Sequence, residues 1–243
     1  SLNKALSLSL PLRTVFESPT VESLARAVEA ARQGGAPQAL PLTRSADQRE
    51  APLTVMQERI RFMEQMHPGR VVYNTPSAHR LSGPFDARAF EAALRQMVQR
   101  QPSLRTSIAD GPGGPVQRVA DQVELHLPFE DLGALPEARR EAELMARLQA
   151  IIDQPIDISK APLFRVALYR MAPDEHVFLF MPHHIIWDGW SFDLLYEEMA
   201  ALYPAALQGT TAALPLPAVS YVDFAHWQQA WMDSETCKTQ VTY

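Results

Sequence analysis

Apolar and polar residues change rhythm several times along this chain, and each change predicts an element. Behind Thr20, a hydroxyl residue suited to capping, Leu24 and Val28 lie four apart, which predicts a helix over residues 21–31. Residues 32–52 lose every apolar period and carry Gly34, Gly35, Pro37, Pro41 and Pro52, the composition of a semi-extended spacer. At Thr54 a capping box begins, with Gln57 three residues on. Met56, Ile60 and Met63 then make a helical stripe, and His67-Pro68-Gly69 stops it. Residues 71–81 read as a strand that Pro76 places at an edge or a bulge.

Asp86 then caps a helix lined by Phe90, Leu94 and Met97. Residues 116–119 and 123–127 read as short strands, and residues 136–152 as a charged surface helix with Leu144, Leu148 and Ile151 facing inward. A strand over 163–171 is broken by Arg165 and Arg170. The next, over 176–181, contains Val177-Phe178-Leu179-Phe180-Met181 and has no polar face, so it reads as a central strand covered on both sides. Helices over 191–203 and 221–232 follow, the first with Leu195, Met199 and Leu202, the second with Phe224, Trp227 and Trp231. This irregular alternation predicts an α/β domain, a mixed sheet flanked by helices.

Composition narrows the class. The 243 residues carry 22 Lys plus Arg against 28 Asp plus Glu, a net charge of −6, which argues against a nucleic-acid backbone as main partner. One cysteine, Cys237, excludes a disulfide framework within the chain and fits a reducing cytoplasm. No apolar run approaches the ~20 residues of a membrane span, and the leucines near the N-terminus do not form a secretory signal.

The chemistry concentrates in Pro182-His183-His184-Ile185-Ile186-Trp187-Asp188-Gly189-Trp190-Ser191, where a buried strand gives way to a helix. Such a junction projects side chains from a rigid element into a cleft. Imidazole suits proton transfer near neutral pH, and an Asp-Gly pair four residues on predicts a tight turn in which glycine relaxes the steric limits. Taken singly, a strand-end histidine also reads as a packed residue and Asp-Gly as a plain turn. Trp190 reads as a packed aromatic, and the stripe of Phe224, Trp227 and Trp231 as core or interface. The other histidines are scattered without ligand spacing, so no metal site is expected.

The whole segment resembles the active-site motif of nonribosomal peptide synthetase condensation domains. Three other stretches agree, in order: Leu53-Thr54-Val55-Met56-Gln57-Glu58-Arg59 through Tyr73-Asn74-Thr75-Pro76, then Arg100-Gln101-Pro102-Ser103-Leu104-Arg105-Thr106, and Tyr221-x-Asp223-Phe224-Ala225-x-Trp227-Gln228. The second departs from the family pattern at Gln101 and Pro102. Upstream, residues 10–21, from Leu10-Pro11-Leu12 to Thr20-Val21, look like the last third of a carrier (thiolation) domain. Its phosphopantetheine-bearing serine is missing, and Ser1 is not assigned as one.

The resemblance implies a carrier end over 1–33, a linker over 34–51, and over 52–243 the N-terminal lobe of a two-lobed domain of chloramphenicol-acetyltransferase type. It implies acyl transfer between thioesters, with His184 catalytic and with His183, Asp188, Gly189 and Arg105 supporting it. Asp188 and Arg105 are expected to form a bidentate ion pair that locks the turn, at a cost of roughly 3–5 kcal/mol if broken while buried. The implied cofactor is none bound directly, since substrates arrive on the 4'-phosphopantetheine of carriers. The implied partners are an upstream donor carrier, a downstream acceptor carrier, a C-terminal lobe and an adenylation domain. The opening motif points to the subtype joining two L-configured residues, and a lone lobe is expected to be inactive. Two alternatives stay open: an epimerization domain, which shares the histidine motif, and a non-catalytic platform that docks carriers. Heterocyclization domains carry aspartates where these histidines stand and are disfavoured.

Overall fold

The computed structural model describes residues 12–33, 40–235 and 237–238. Its helices are α1 Leu12–Glu17, α2 Val21–Gln33, α3 Val55–Met66, α4 Ala87–Arg100, α5 Glu137–Ile152, α6 Gly189–Leu207 and α7 Tyr221–Met232. Its strands are β1 Glu50–Pro52, β2 Ser77–Ser82, β3 Thr106–Gly111, β4 Gly114–Val119, β5 Phe129–Asp131, β6 Phe164–Ala172 and β7 Glu175–Pro182. A 3-10 turn, Pro102–Arg105, joins α4 to β3. The chain divides into two units, one of residues 44–226 and one drawn from residues before 44 and after 226, so the division falls inside α7.

The larger unit is organised by β7. Four strands run in the order β2-β7-β6-β5, antiparallel except where β5 lies parallel to β6. Successive side chains of a strand point to opposite faces, and β7 is apolar on both. Phe178 and Phe180 enter a core with Phe90 and Leu94 of α4 and Leu195 and Met199 of α6. Val177 and Leu179 enter a second cluster with Leu144 and Leu148 of α5. The run without a polar face is thus a central strand with helices on both sides, as its pattern predicts. Each fully buried side chain of this size contributes about 1.5–3 kcal/mol.

A second sheet, β1-β4-β3, is antiparallel throughout. Its strand β3 has no counterpart in the pattern reading, whereas residues 123–127, expected as a strand, are irregular and still bury Leu125 and Leu127. The expected linker also ends earlier than its prolines suggest. Residues 50–52 pair with β4 and bury Ala51, with Pro52 on an edge strand, where proline is tolerated. Upstream of it, the Ser45 amide and hydroxyl and the Gln48 amide donate to the buried Asp223 of α7, and Ser220 adds two more bonds. These donors hold the Asp223 carboxyl below the usual carboxylate range although burial opposes them.

Capping is as the sequence predicts at Thr20, Thr54 and Asp86. Helix α3 buries one member of its stripe. Ile60 faces inward, but Met56 is 57% exposed and the other inward residue is Gln57, at 2%. Helix α1 was not expected from its flanking prolines, while α2 begins at Val21 as predicted. On α7 the buried side chains are Val222, Asp223 and Ala225 rather than the aromatic stripe. In the smaller unit Trp227 donates its indole N–H to the Leu40 carbonyl at 2.6 Å and stacks on Trp231. Ser1, Leu10, Pro11, Gly34, Gly35 and Pro37, on which several expectations rest, lie outside the described residues, as do residues 239–243 of the expected lobe.

Candidate active site

The histidine segment leaves β7 at Pro182 and is fastened to the backbone around it. The Pro182 carbonyl accepts from the Thr75 amide at 2.9 Å and the Thr75 hydroxyl at 2.7 Å. The His183 amide donates to the Leu163 carbonyl and the His184 amide to the Tyr73 carbonyl, both at 2.8 Å. Asn74 bridges His183, and its side-chain amide donates to the carbonyls of Ile152 and Gln154 at the end of α5. The Tyr73-Asn74-Thr75 stretch quoted from the opening motif is therefore the clamp on the histidines.

A second clamp comes from α3. The buried Gln57 side chain donates to the Ile185 carbonyl at 3.2 Å and accepts from the Thr54 amide and from Gln117 of β4. Gln117 donates also to the Pro52 carbonyl. This closed amide network ties the three-stranded sheet to the turn, and each member has a partner, which removes the penalty of burying it.

The two histidines differ in every physical respect. His183 is 2% exposed, and its Nδ1 accepts from the Ile185 amide at 3.2 Å. Its proton therefore sits on Nε2, which faces Glu64 Oε1 at 3.5 Å. Burial, aided by the neighbouring His184, pushes its pKa down to about 4, so the ring is neutral near pH 7. His184 is exposed, and its Nδ1 lies 2.6 Å from the Trp187 carbonyl. A carbonyl only accepts, so Nδ1 carries the proton and the Nε2 lone pair of the neutral ring is left for chemistry. His184 opens on a cleft of about 310 Å³ lined also by Met56, Ser103, Trp187, Ser191 and Tyr221. A larger cleft, about 530 Å³, has Glu64 in its wall and not His184; chemistry rather than size selects the smaller one.

Asp188 and Arg105 are not brought together. Asp188 is the N-cap of α6, accepting from the Ser191 amide at 2.9 Å and the Ser191 hydroxyl at 2.6 Å. Arg105 spends its donors on main-chain carbonyls: Val98 and Gln99 in the last turn of α4, and Ala120 and Asp121 after β4. The last carbonyls of a helix lack intrahelical partners and attract cations, so a guanidinium five residues past the helix end finds them first. The expected ion pair is replaced by two local arrangements. The departures at Gln101 and Pro102 are likewise accommodated: Pro102 opens the 3-10 turn, and Gln101 joins Arg100 on Glu198 of α6.

Gly189 is the first residue of α6, its backbone is not left-handed, and a Cβ placed there would meet nothing within 4 Å. The turn does not need glycine on steric grounds. Left-handed glycine occurs instead at Gly69, with φ +77°, in the stretch that ends α3. Trp190, expected to be packed, is 72% exposed because the first turn of α6 points it away from the core. Tyr221 was not singled out for the site. Its hydroxyl bonds Thr54 Oγ1 at 3.0 Å and burial raises its pKa; its place in the fourth motif was the available signal. Gln57 and Glu64 carried no comparable signal beyond the opening motif. Among the described residues no three His, Cys, Asp or Glu side chains gather as a metal site.

Residues 47–243 match the Condensation domain family. The chain is 37% identical, over its whole length, to tyrocidine synthase 3 of Brevibacillus parabrevis, of which it covers 4%. Bacitracin synthase 3 of Bacillus licheniformis is 33% identical over the whole chain, which again covers 4% of it. The starter condensation domain of rhizomide synthetase is 28% identical, with a TM-score of 0.69 over 76% of this chain and 44% of that one. The first condensation domain of the calcium-dependent antibiotic synthetase, at 23% identity and a TM-score of 0.69, shares the fold. The chain thus spans less than half the length of these relatives. Its mixed sheet flanked by helices is the architecture of those solved domains, and together with the match over residues 47–243 this shows that the chain belongs to the condensation-domain family.

Proposed function

We propose that this chain contributes the first lobe of a nonribosomal peptide synthetase condensation domain, and that His184 serves its peptide-bond-forming step. The observation that carries the reading is the His184 ring in the wall of the cleft, held by its Nδ1–H on the Trp187 carbonyl, so that Nε2 is the ring nitrogen left for chemistry. In the reaction the α-amine of an acceptor aminoacyl thioester attacks the carbonyl carbon of a donor thioester. A C–N bond forms, the C–S bond breaks, the amine gives up a proton and the departing thiolate takes one. Nε2 of His184 accepts the amine proton or orients the amine toward the carbonyl; the first role charges the ring and the second does not. His183, Asp188 and Arg105 support it structurally, the last at a distance, by fixing the end of α4.

Both substrates would arrive as thioesters on the 4'-phosphopantetheine of carrier domains, upstream donor and downstream acceptor, beside an adenylation domain. Residues 1–33 are read as the end of the upstream carrier and the stretch between residue 34 and the start of β1 as the linker. Whole-length likeness to peptide synthases supports this, as does helix α2 behind its Thr20 cap. A C-terminal lobe completing a chloramphenicol-acetyltransferase-like pair would cover Met56, Phe62 and Met66, exposed on α3. The stretch from His67-Pro68-Gly69 to Tyr73-Asn74 supports the subtype joining two L residues.

The test is a reconstitution in the full-length protein. Donor and acceptor carriers are loaded with L-aminoacyl groups or, for comparison, a fatty acyl donor, and the condensed product is read by intact-protein mass spectrometry. Product from L-aminoacyl donors that disappears in His184→Ala is expected. Product from the fatty acyl donor alone would replace the L–L reading by a starter-type one. Carrier binding without product from any donor would make the domain a docking platform.

A further inference from the structure

Glu64 stands behind the histidines, one turn beyond Ile60 on α3, between the larger cleft and the buried His183 ring. Its neighbours in that cleft are committed elsewhere: Arg61 pairs with Asp110 at 2.9 Å, and Asp157 with Ser159 and Lys160. The carboxyl is mostly buried, at 14% side-chain exposure, and its Oε1 lies 3.5 Å from the only protonated nitrogen of His183. The other nitrogen of that ring accepts from the Ile185 amide, the residue directly after His184. Glu64, the His183 ring and the Ile185 amide thus follow one another, Oε1 approaching Nε2 at 3.5 Å and Nδ1 accepting from the amide at 3.2 Å. Resting on the reading of His184 as the working group, we propose that Glu64 is a positioning residue for His184. An accepting oxygen of its carboxyl group selects the Nε2–H tautomer of His183, which leaves Nδ1 to hold the Ile185 amide and so sets the turn that presents the His184 ring.

The opposite tautomers of the adjacent rings give this its content. If His183 carried its proton on Nδ1, two N–H groups would face each other at Ile185, and the turn would have to open. A glutamine at position 64 keeps an accepting oxygen of the same shape; a leucine fills the space without one.

The experiment compares wild type, Glu64→Gln and Glu64→Leu in the full-length protein with two readouts. One is the rate at which diethylpyrocarbonate modifies His184, followed by peptide mass spectrometry, which needs no turnover. The other is condensation kinetics with loaded carriers. Glu64→Leu is expected to change the modification rate several-fold and to lower kcat about tenfold with KM unchanged, because small misplacements of a reacting group are costly. Glu64→Gln is expected to keep both near wild type. Equal modification rates in all three proteins would overturn the proposal whether or not any of them condenses. Equal losses in both variants would overturn it too, since an accepting oxygen would then not be what matters. A failure of wild type to condense would count against the proposed function alone, because the modification rates still decide the role of Glu64.

Discussion

Two short stretches, residues 102–106 and 183–191, both turn the chain between regular elements, and both carry a charged residue expected to seek the other. In the first, Arg105 closes the end of α4 by donating to the Val98 and Gln99 carbonyls. In the second, Asp188 opens α6 by accepting from Ser191. Each satisfies a helix terminus a few residues away. A helix end leaves several backbone groups without partners, so a charged side chain beside one loses little entropy in reaching them and gains charge-assisted bonds. An ion pair across the molecule would have to strip both ends of those partners. The difference lies in what else holds each stretch. The first is held mainly from within and beside itself, by the Arg105 guanidinium, the Thr106 hydroxyl on the Pro102 carbonyl and the Ala120 amide on the Arg105 carbonyl; the second is fastened by Tyr73, Thr75, Leu163 and Gln57, with Asp188 only at its exit.

The largest effect is expected where the second stretch meets solvent. His184→Ala should lower condensation by about 10²–10⁴-fold and leave the urea midpoint unchanged, since an exposed ring with one bond contributes little to the fold. A loss of stability equal to the loss of rate would break the contrast between the two histidines. Next comes Arg105→Ala, expected to cost about 2–4 kcal/mol in urea unfolding because several carbonyls lose a cationic donor together.

The third effect is in pH. The folded pKa of His183, near 4, lies below the unfolded value of 6.5, so the unfolded chain binds the proton first. The stability that neutral His183 allows is complete above pH 6.5 and is lost as pH falls toward 4. The expected loss between pH 7.5 and 4.5 is about 2–3 kcal/mol, and His183→Asn should flatten that part of the profile. Smaller still is Asp188→Ala, about 1 kcal/mol, the usual worth of an N-cap. The smallest quantity is the sharpest. The double-mutant coupling between Arg105→Ala and Asp188→Ala should stay below about 0.5 kcal/mol, as for sites with no shared partner, and a coupling of several kcal/mol would restore the ion pair.

Whatever a neighbour along the chain can satisfy is legible in the order of residues. The caps at Thr54, Asp86 and Thr20, and the burial of β7 on both faces, follow from residues within one turn or one strand. The histidine segment was legible for the same reason, as seven residues whose order alone marks the chemistry. Which face of α3 is covered was left to the assembled fold, because periodicity says which residues share a face and not which face meets the sheets. Gln57, which the local pattern reads only as a capping-box residue, is also buried because its partners at Ile185 and Gln117 stand 128 and 60 positions away. Glu64 stands behind His183 on the same account, and Trp190 is outside because the helix that Asp188 caps turns it there. A side chain's nearest unsatisfied partner is a distance in space, and only the folded chain fixes it.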